Sequence, residues 1–129
     1  MPHVRVHHLA FRTHRLRHVV RFYCTVLGLA IVREQRLPRG KIRSVWLAAD
    51  RTILMIEAAG ADEPGIPPMS NELVAFGVGK RDVASLRKRV ARHRVRIEAE
   101  TEHTVYFRDP DGRRVALTTY PSVQITGRK

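Results

Sequence analysis

Seven histidines, one cysteine and twelve carboxylates are the side chains of this 129-residue chain whose types could move a proton or hold a metal. A histidine serves as base, acid or ligand near neutral pH, and its neighbours decide which. His3, His14, His18, His93 and His103 read as surface residues. His7 and His8 differ, because they lead into the apolar group Leu9-Ala10-Phe11. Glu57 likewise closes an apolar run, Ile53-Leu54-Met55-Ile56. Cys24 is the only cysteine, so no intrachain disulfide can form. Beside Tyr23 it reads as a buried, inert thiol rather than a nucleophile. Trp46 reads as core or dimer interface, with a stacking platform for a ligand as the alternative.

The net charge of +12 bounds the partners. Clustered cations would fit nucleic acid. Here the charge is spread, with a net charge of +6 on each side of Pro64/Gly65. Arginine outnumbers lysine 20 to 4, as a GC-rich coding sequence would give. The densest run, Arg87-Lys88-Arg89 with Arg92 and Arg94, lies on a predicted helix with an apolar opposite face, which is the pattern of a solvated helix surface. Nucleic acid is therefore not the expected partner, whereas a basic surface concentrates small anions. No apolar run is long enough to span a bilayer, and the start lacks a signal-peptide pattern. A cytoplasmic protein with no membrane partner is expected.

Periodicity supplies the elements that position these groups. Val4–Arg12 alternates as a strand. A helix follows, with Thr13 as N-cap, the stripe Leu16, Val19, Val20, Tyr23 and Leu27, and Gly28 as its left-handed stop. Strands are predicted at Leu29–Arg33, Arg43–Ala49 and Thr52–Ala58, the last two joined by a tight turn at Asp50-Arg51. Residues 59–72 form a Pro/Gly-rich linker. The order then restarts: a strand at Leu73–Val78, a helix with Asp82 as N-cap and the stripe Val83, Leu86, Val90, then strands at Val95–Ala99, Thr104–Arg108 and Arg113–Thr119. The second helix has no glycine near His93-Arg94, so one of these residues takes a left-handed cap or the helix ends without one. Asp109-Pro110-Asp111-Gly112 is a turn by mechanism. His8-Leu9-Ala10-Phe11-Arg12 aligns with Leu73-Val74-Ala75-Phe76-Gly77 at an offset of 65. The expectation is one domain, 1–129: module 1 about 3–58, linker 59–72, module 2 about 73–120 and tail 121–129. The class is α+β, two tandem βαβββ modules with curled mixed sheets.

His7-His8-Leu9-Ala10-Phe11-Arg12, then Phe22-Tyr23, then Val26-Leu27-Gly28-Leu29 resemble the opening of vicinal-oxygen-chelate proteins, the glyoxalase/bleomycin-resistance/extradiol-dioxygenase superfamily. Asp109-Pro110-Asp111-Gly112 with Arg113-Arg114-Val115 resembles its closing motif. The likeness covers about residues 4–120. It implies a cup into which metal ligands project from the first and last strands of each module. Matched residue by residue, those positions fall on His8, Glu57, Leu73 and Ala116. Leu73 and Ala116 have no lone pairs to give, and a catalytic zinc needs about three protein ligands. No tightly bound metal or other cofactor is expected, with His8 and Glu57 left as candidates for weak divalent binding.

Alternation gives the resemblance a face. If His8 faces the cup, so do Arg12 and Ala10, with Met55 beside Glu57. The second module contributes Leu73, Ala75, Arg114, Ala116 and Thr118. That is an apolar surface with a few polar points, the character of a small-molecule pocket. His8 and Glu57 are the candidate catalytic pair, as acid and base, against a reading in which they merely satisfy each other. Arg12 and Arg114 could clamp an anion, or pair with Glu57 or face solvent. The leading expectation is a homodimeric, glyoxalase/bleomycin-resistance-type protein that sequesters or acts on a small anionic or aromatic metabolite. The alternatives are a glyoxalase-like lyase, isomerase or dioxygenase using His8 and Glu57, and a basic nucleic-acid-associated or regulatory module.

Overall fold

The computed structural model describes residues 2–121, so the expected tail beyond Pro121 lies outside the described residues. The chain divides into two compact units, Met1–Pro68 and Met69–Lys129. The first contains β1 (His8–Thr13), α1 (Leu16–Thr25), β2 (Ala30–Arg36), β3 (Ile42–Ala49) and β4 (Thr52–Ala58). The second contains β5 (Leu73–Gly77), a 3-10 turn (Lys80–Asp82), α2 (Val83–Arg92), β6 (Ala99–Glu100), β7 (Thr104–Arg108) and β8 (Arg114–Thr118). Each unit holds one four-stranded mixed sheet, ordered β1-β4-β3-β2 and β5-β8-β7-β6. The fold is α+β with the expected βαβββ order twice over. Within each module the first strand pairs parallel to the last, and the remaining pairs are antiparallel. Tight hairpin turns permit only antiparallel neighbours, whereas the first strand and its partner are joined by a long crossover. Among the described residues no helix is long and apolar enough to cross a membrane.

The core of the first unit lies between α1 and one face of its sheet. The rings of Phe11 and Tyr23 are 6.0 Å apart, which fixes the side of β1 that meets the helix. Pairing places Leu54, Ile56, Val45 and Leu47 on that same side, and all four are buried. The helix presents Val19, Phe22, Tyr23 and Val26. The stripe read from sequence was turned slightly away from this. Leu16, Val20 and Leu27 are only partly buried, while Phe22 and Val26 complete an equally helical set and bring a second aromatic ring against Tyr23 at 5.0 Å. In the second unit Val90, Val105, Phe107, Val115 and Leu117 are buried.

Several boundaries move for local reasons. β1 starts at His8 rather than Val4; Val4 and Val6 are 94% and 60% exposed and have no partner in the ladder. β2 begins one residue later than expected and runs on to Arg36, because β3 offers partners that far. The strand expected at Val95–Ala99 shrinks to Ala99–Glu100. Thr13 is not the N-cap of α1. Arg15 stands there, and the Thr13 hydroxyl accepts the Arg15 N–H at 2.9 Å just ahead of the helix. Asp82 does precede α2, without a side-chain capping bond. The Asp109 carboxylate is buried and accepts the N–H groups of Asp111 and Arg113 at 2.8 and 3.0 Å, so this turn is built as the sequence suggests.

Arg94 resolves the missing glycine after α2. It takes φ 58, and the Val95 N–H donates to the Val90 carbonyl across the turn. A left-handed non-glycine residue is strained. Arg94→Gly should therefore stabilise the chain by about 0.5–1 kcal/mol. The check is a higher urea midpoint with an unchanged slope. A lower midpoint would mean that the Arg94 side chain itself holds the helix end.

Candidate functional site

Register decides which side chains can meet. His8 pairs with Ile53, Ala10 with Met55 and Arg12 with Glu57. These residues occupy the face turned away from α1, together with Ser44, Trp46 and Ala48 of β3. In the second unit Leu73 pairs with Arg114, Ala75 with Ala116 and Gly77 with Thr118. Thr104, Tyr106 and Arg108 of β7 join that helix-free face.

His8 and Glu57 share a face but are not neighbours. Four residues of parallel register separate them, about 13 Å along the strand. The Glu57 carboxylate instead accepts Arg12 Nη1 at 3.1 Å. His8 lies beside His7, with Nδ1 atoms 2.9 Å apart, and both rings are exposed. The imidazole–carboxylate pair expected from the sequence is not formed, because strand position rather than shared parity sets proximity.

The same register revises the metal positions. Ala116 pairs with Ala75, which lies 65 residues after Ala10 in the internal repeat. Ala10 pairs with Met55. Met55 therefore occupies the place equivalent to Ala116, and Glu57 is equivalent to Thr118. The four places implied by the family resemblance become His8, Met55, Leu73 and Ala116. At these places the resemblance finds one imidazole and one weakly coordinating thioether, against the about three protein ligands of a catalytic zinc. Among the described residues no group of three or more His, Cys, Asp or Glu is positioned to hold a metal.

The two arginines expected to clamp an anion are tied to carboxylates. Arg12 donates Nε and Nη2 to Glu63 at 2.6 and 2.9 Å, besides its bond to Glu57. These bonds, those to Glu63 foremost, raise the guanidinium pKa further. Arg12 in turn holds the Glu63 carboxyl down to about 2. Arg114 donates Nε to Glu98 at 3.2 Å and lies 4.3 Å from the centre of the Tyr106 ring. Arg108 also grips Glu98 and holds its carboxyl below the usual range, with Arg114 assisting. The Thr118 hydroxyl is bonded to that of Thr104 at 2.9 Å. Burial pushes the Cys24 thiol up, which disfavours the nucleophilic thiolate.

Sequence reading missed Arg33. Strict alternation would place it on the same face as Ile31. An irregularity in the β2–β3 ladder sets Ile31 opposite Leu47 but Arg33 opposite Trp46, carrying Arg33 to the helix-free face. Its guanidinium lies 5.2 Å from the centre of the Trp46 ring. Beside it the Ser44 hydroxyl donates to Gln35 Oε1 at 3.0 Å. Trp46 Nε1 is buried and has no hydrogen-bond partner among the described residues.

The sequence profile of the Glyoxalase/Bleomycin resistance protein/Dioxygenase superfamily matches residues 5–117. The chain belongs to this superfamily. Solved superfamily folds agree. The fosfomycin resistance protein FosX of Listeria monocytogenes, complexed with Mn(II) and sulfate, has a TM-score of 0.76 at 13% identity, covering 94% of this chain and 95% of that one. The Bacillus subtilis YycE protein, a putative glyoxalase/fosfomycin resistance protein, gives 0.73 at 21%, covering 95% and 93%. The Agrobacterium tumefaciens lactoylglutathione lyase gives 0.66 at 24%, covering 92% and 95%. At these identities the likeness is one of fold. No curated protein matches in sequence.

The Arg12–Glu63 pair predicts an acid-side dependence. Glu63 is held at about 2 against an ordinary value of 4.5. A depressed carboxyl stabilises the fold above its unfolded pKa and loses that contribution as pH falls through the folded value. The melting temperature of Glu63→Gln should thus fall less steeply than that of the natural chain between pH 4.5 and 2. Parallel curves would show that the pair does not couple to folding.

Proposed function

We propose that this superfamily member binds a small anionic ligand with a planar or apolar body on the helix-free face of its first sheet, without a resident metal ion. The observation that carries this reading is the buried, unpartnered Trp46 Nε1 beside Arg33. An unsatisfied buried donor costs about 1–3 kcal/mol, and an acceptor oxygen on a ligand would remove that cost. Arg33 forms no ion pair among the described residues, unlike Arg12, Arg108 and Arg114, so its charge is available to an anion. Met55 and Ala10 supply apolar surface next to Trp46 through the ladder. A basic chain also steers anions inward. The sulfate held by Listeria FosX is in keeping with an oxyanion ligand for this fold.

Catalysis by His8 with Glu57 is the weaker reading. Their separation along the ladder leaves the imidazole without its carboxylate, and Glu57 is occupied by Arg12. A general base has to lie within hydrogen-bond reach of the proton it takes. His8 stays on the ligand face as an exposed polar group.

Trp46 is the only tryptophan, so its fluorescence reports this face alone. Titration with small aromatic carboxylates in the presence of a chelator should give a saturable change in emission. Arg33→Ala should weaken that binding about tenfold, the loss of one charge-assisted contact. Emission unmoved by every anion tested, or binding indifferent to Arg33, would refute the assignment and leave water as the partner of the indole.

A further inference from the structure

Each module opens a cavity at the same topological place, where the first and last strands end and the crossover helix begins. In the second unit it measures about 320 Å³. Val83, Val105 and Leu117 contribute to its wall, and Lys80 and Arg87 share it with Glu102. In the first unit the counterpart measures about 610 Å³ and is bounded by the end of β1, the first turn of α1, the β2–β3 loop and the end of β4. Its lining carries Arg15, Arg17, Arg36 and Lys41 with His14 and His18, and contains no Asp or Glu. The chain as a whole has one acidic residue for every two basic ones, so the contrast between the two cavities is local and not a reflection of composition.

We propose that the first-unit cavity is a second ligand site, for a tetrahedral oxyanion: inorganic phosphate or the terminal phosphate of a small phosphomonoester. Among the described residues Arg15, Arg17 and Lys41 form no ion pair. Arg36 is fixed in place by Glu34 at 3.0 Å and by the Gly40 carbonyl at 2.7 Å. Like charges held around one recess repel, and a multivalent anion turns that repulsion into attraction. Guanidinium forks suit phosphate oxygens in pairs. The volume exceeds what a bare phosphate fills, and Leu16, Ile42 and Ala58 provide a wall for the body of an ester. A recess admits a terminal phosphate group more readily than the continuous backbone of a duplex. The site is separate from the Trp46 face. Thr13, in its lining, has the same strand parity as Phe11, which meets α1.

The test compares melting of the full chain in sodium phosphate, in glycerol phosphate and in sodium chloride at matched ionic strength. A saturable rise with both phosphates over chloride is expected. The double variant Arg17→Ala, Lys41→Ala should lose it, while Arg43→Ala, Arg51→Ala removes the same charge elsewhere and should keep it. Equal rises in both double variants would mean diffuse screening of the basic surface, and no rise at all would mean no site; either overturns the proposal. So would a shift produced by duplex DNA but by neither phosphate. If the first double variant does not fold, amide shifts in the natural chain decide. Saturable shifts centred on Leu16, Arg17 and His18 support the site, and uniform or absent shifts refute it. Trp46 emission should not follow these phosphate-dependent changes, which separates this site from the proposed ligand face.

Discussion

The parallel ladder between the first and last strands of each module is the constraint from which the remaining geometry follows. Side chains alternate along a strand, so the pairing register decides both which groups share a face and how far apart they stand. In the first unit it sends Phe11, Leu54 and Ile56 to the helix, and His8, Met55 and Glu57 to the other side. In the second it sets Ala75 beside Ala116. Through the internal repeat, the two ladders make Met55 of the first module the equivalent of Ala116 in the second. The places that the family resemblance implies for metal ligands then fall on a histidine, a methionine, a leucine and an alanine.

Much of the architecture was legible because it depends on local signals. The turns at Asp50-Arg51 and Asp109-Gly112 delimit strands whose alternation is clear, and Gly28 stops α1 with φ 75. The repeat at offset 65 exposed the tandem modules. What was not legible depends on pairing between segments far apart in sequence. Glu57 looked like a ligand because it ends an apolar run. Only the pairing of Arg12 with Glu57 shows that it lies four residues past His8. Arg33 was invisible for a related reason: a single irregularity in β2 moves it from one face to the other. The stripe of α1 was misplaced by a fraction of a turn because Leu16 and Phe22 are both apolar, and only packing chooses between them.

The basic character of the chain resolves into two populations. Arg12, Arg108, Arg113 and Arg114 are bound to carboxylates and brace strands and turns. The exposed pairs among them, such as Arg12 with Glu63, add little stability, but every pair takes its charge away from ligands. Among the described residues Arg33 has no ion pair and stands over Trp46, and Arg15, Arg17 and Lys41 likewise line a cavity without one. The distinction matters for function, since net charge alone would have pointed to nucleic acid.

We propose that the register leaves His8 as the only strong donor at the four places where the family resemblance puts metal ligands. Elemental analysis of the protein, isolated without chelator from cells supplied with zinc, nickel, manganese and iron, tests it most directly. Far less than one transition metal per chain is expected. One metal per chain, retained through dialysis and lost in His8→Ala, would contradict it.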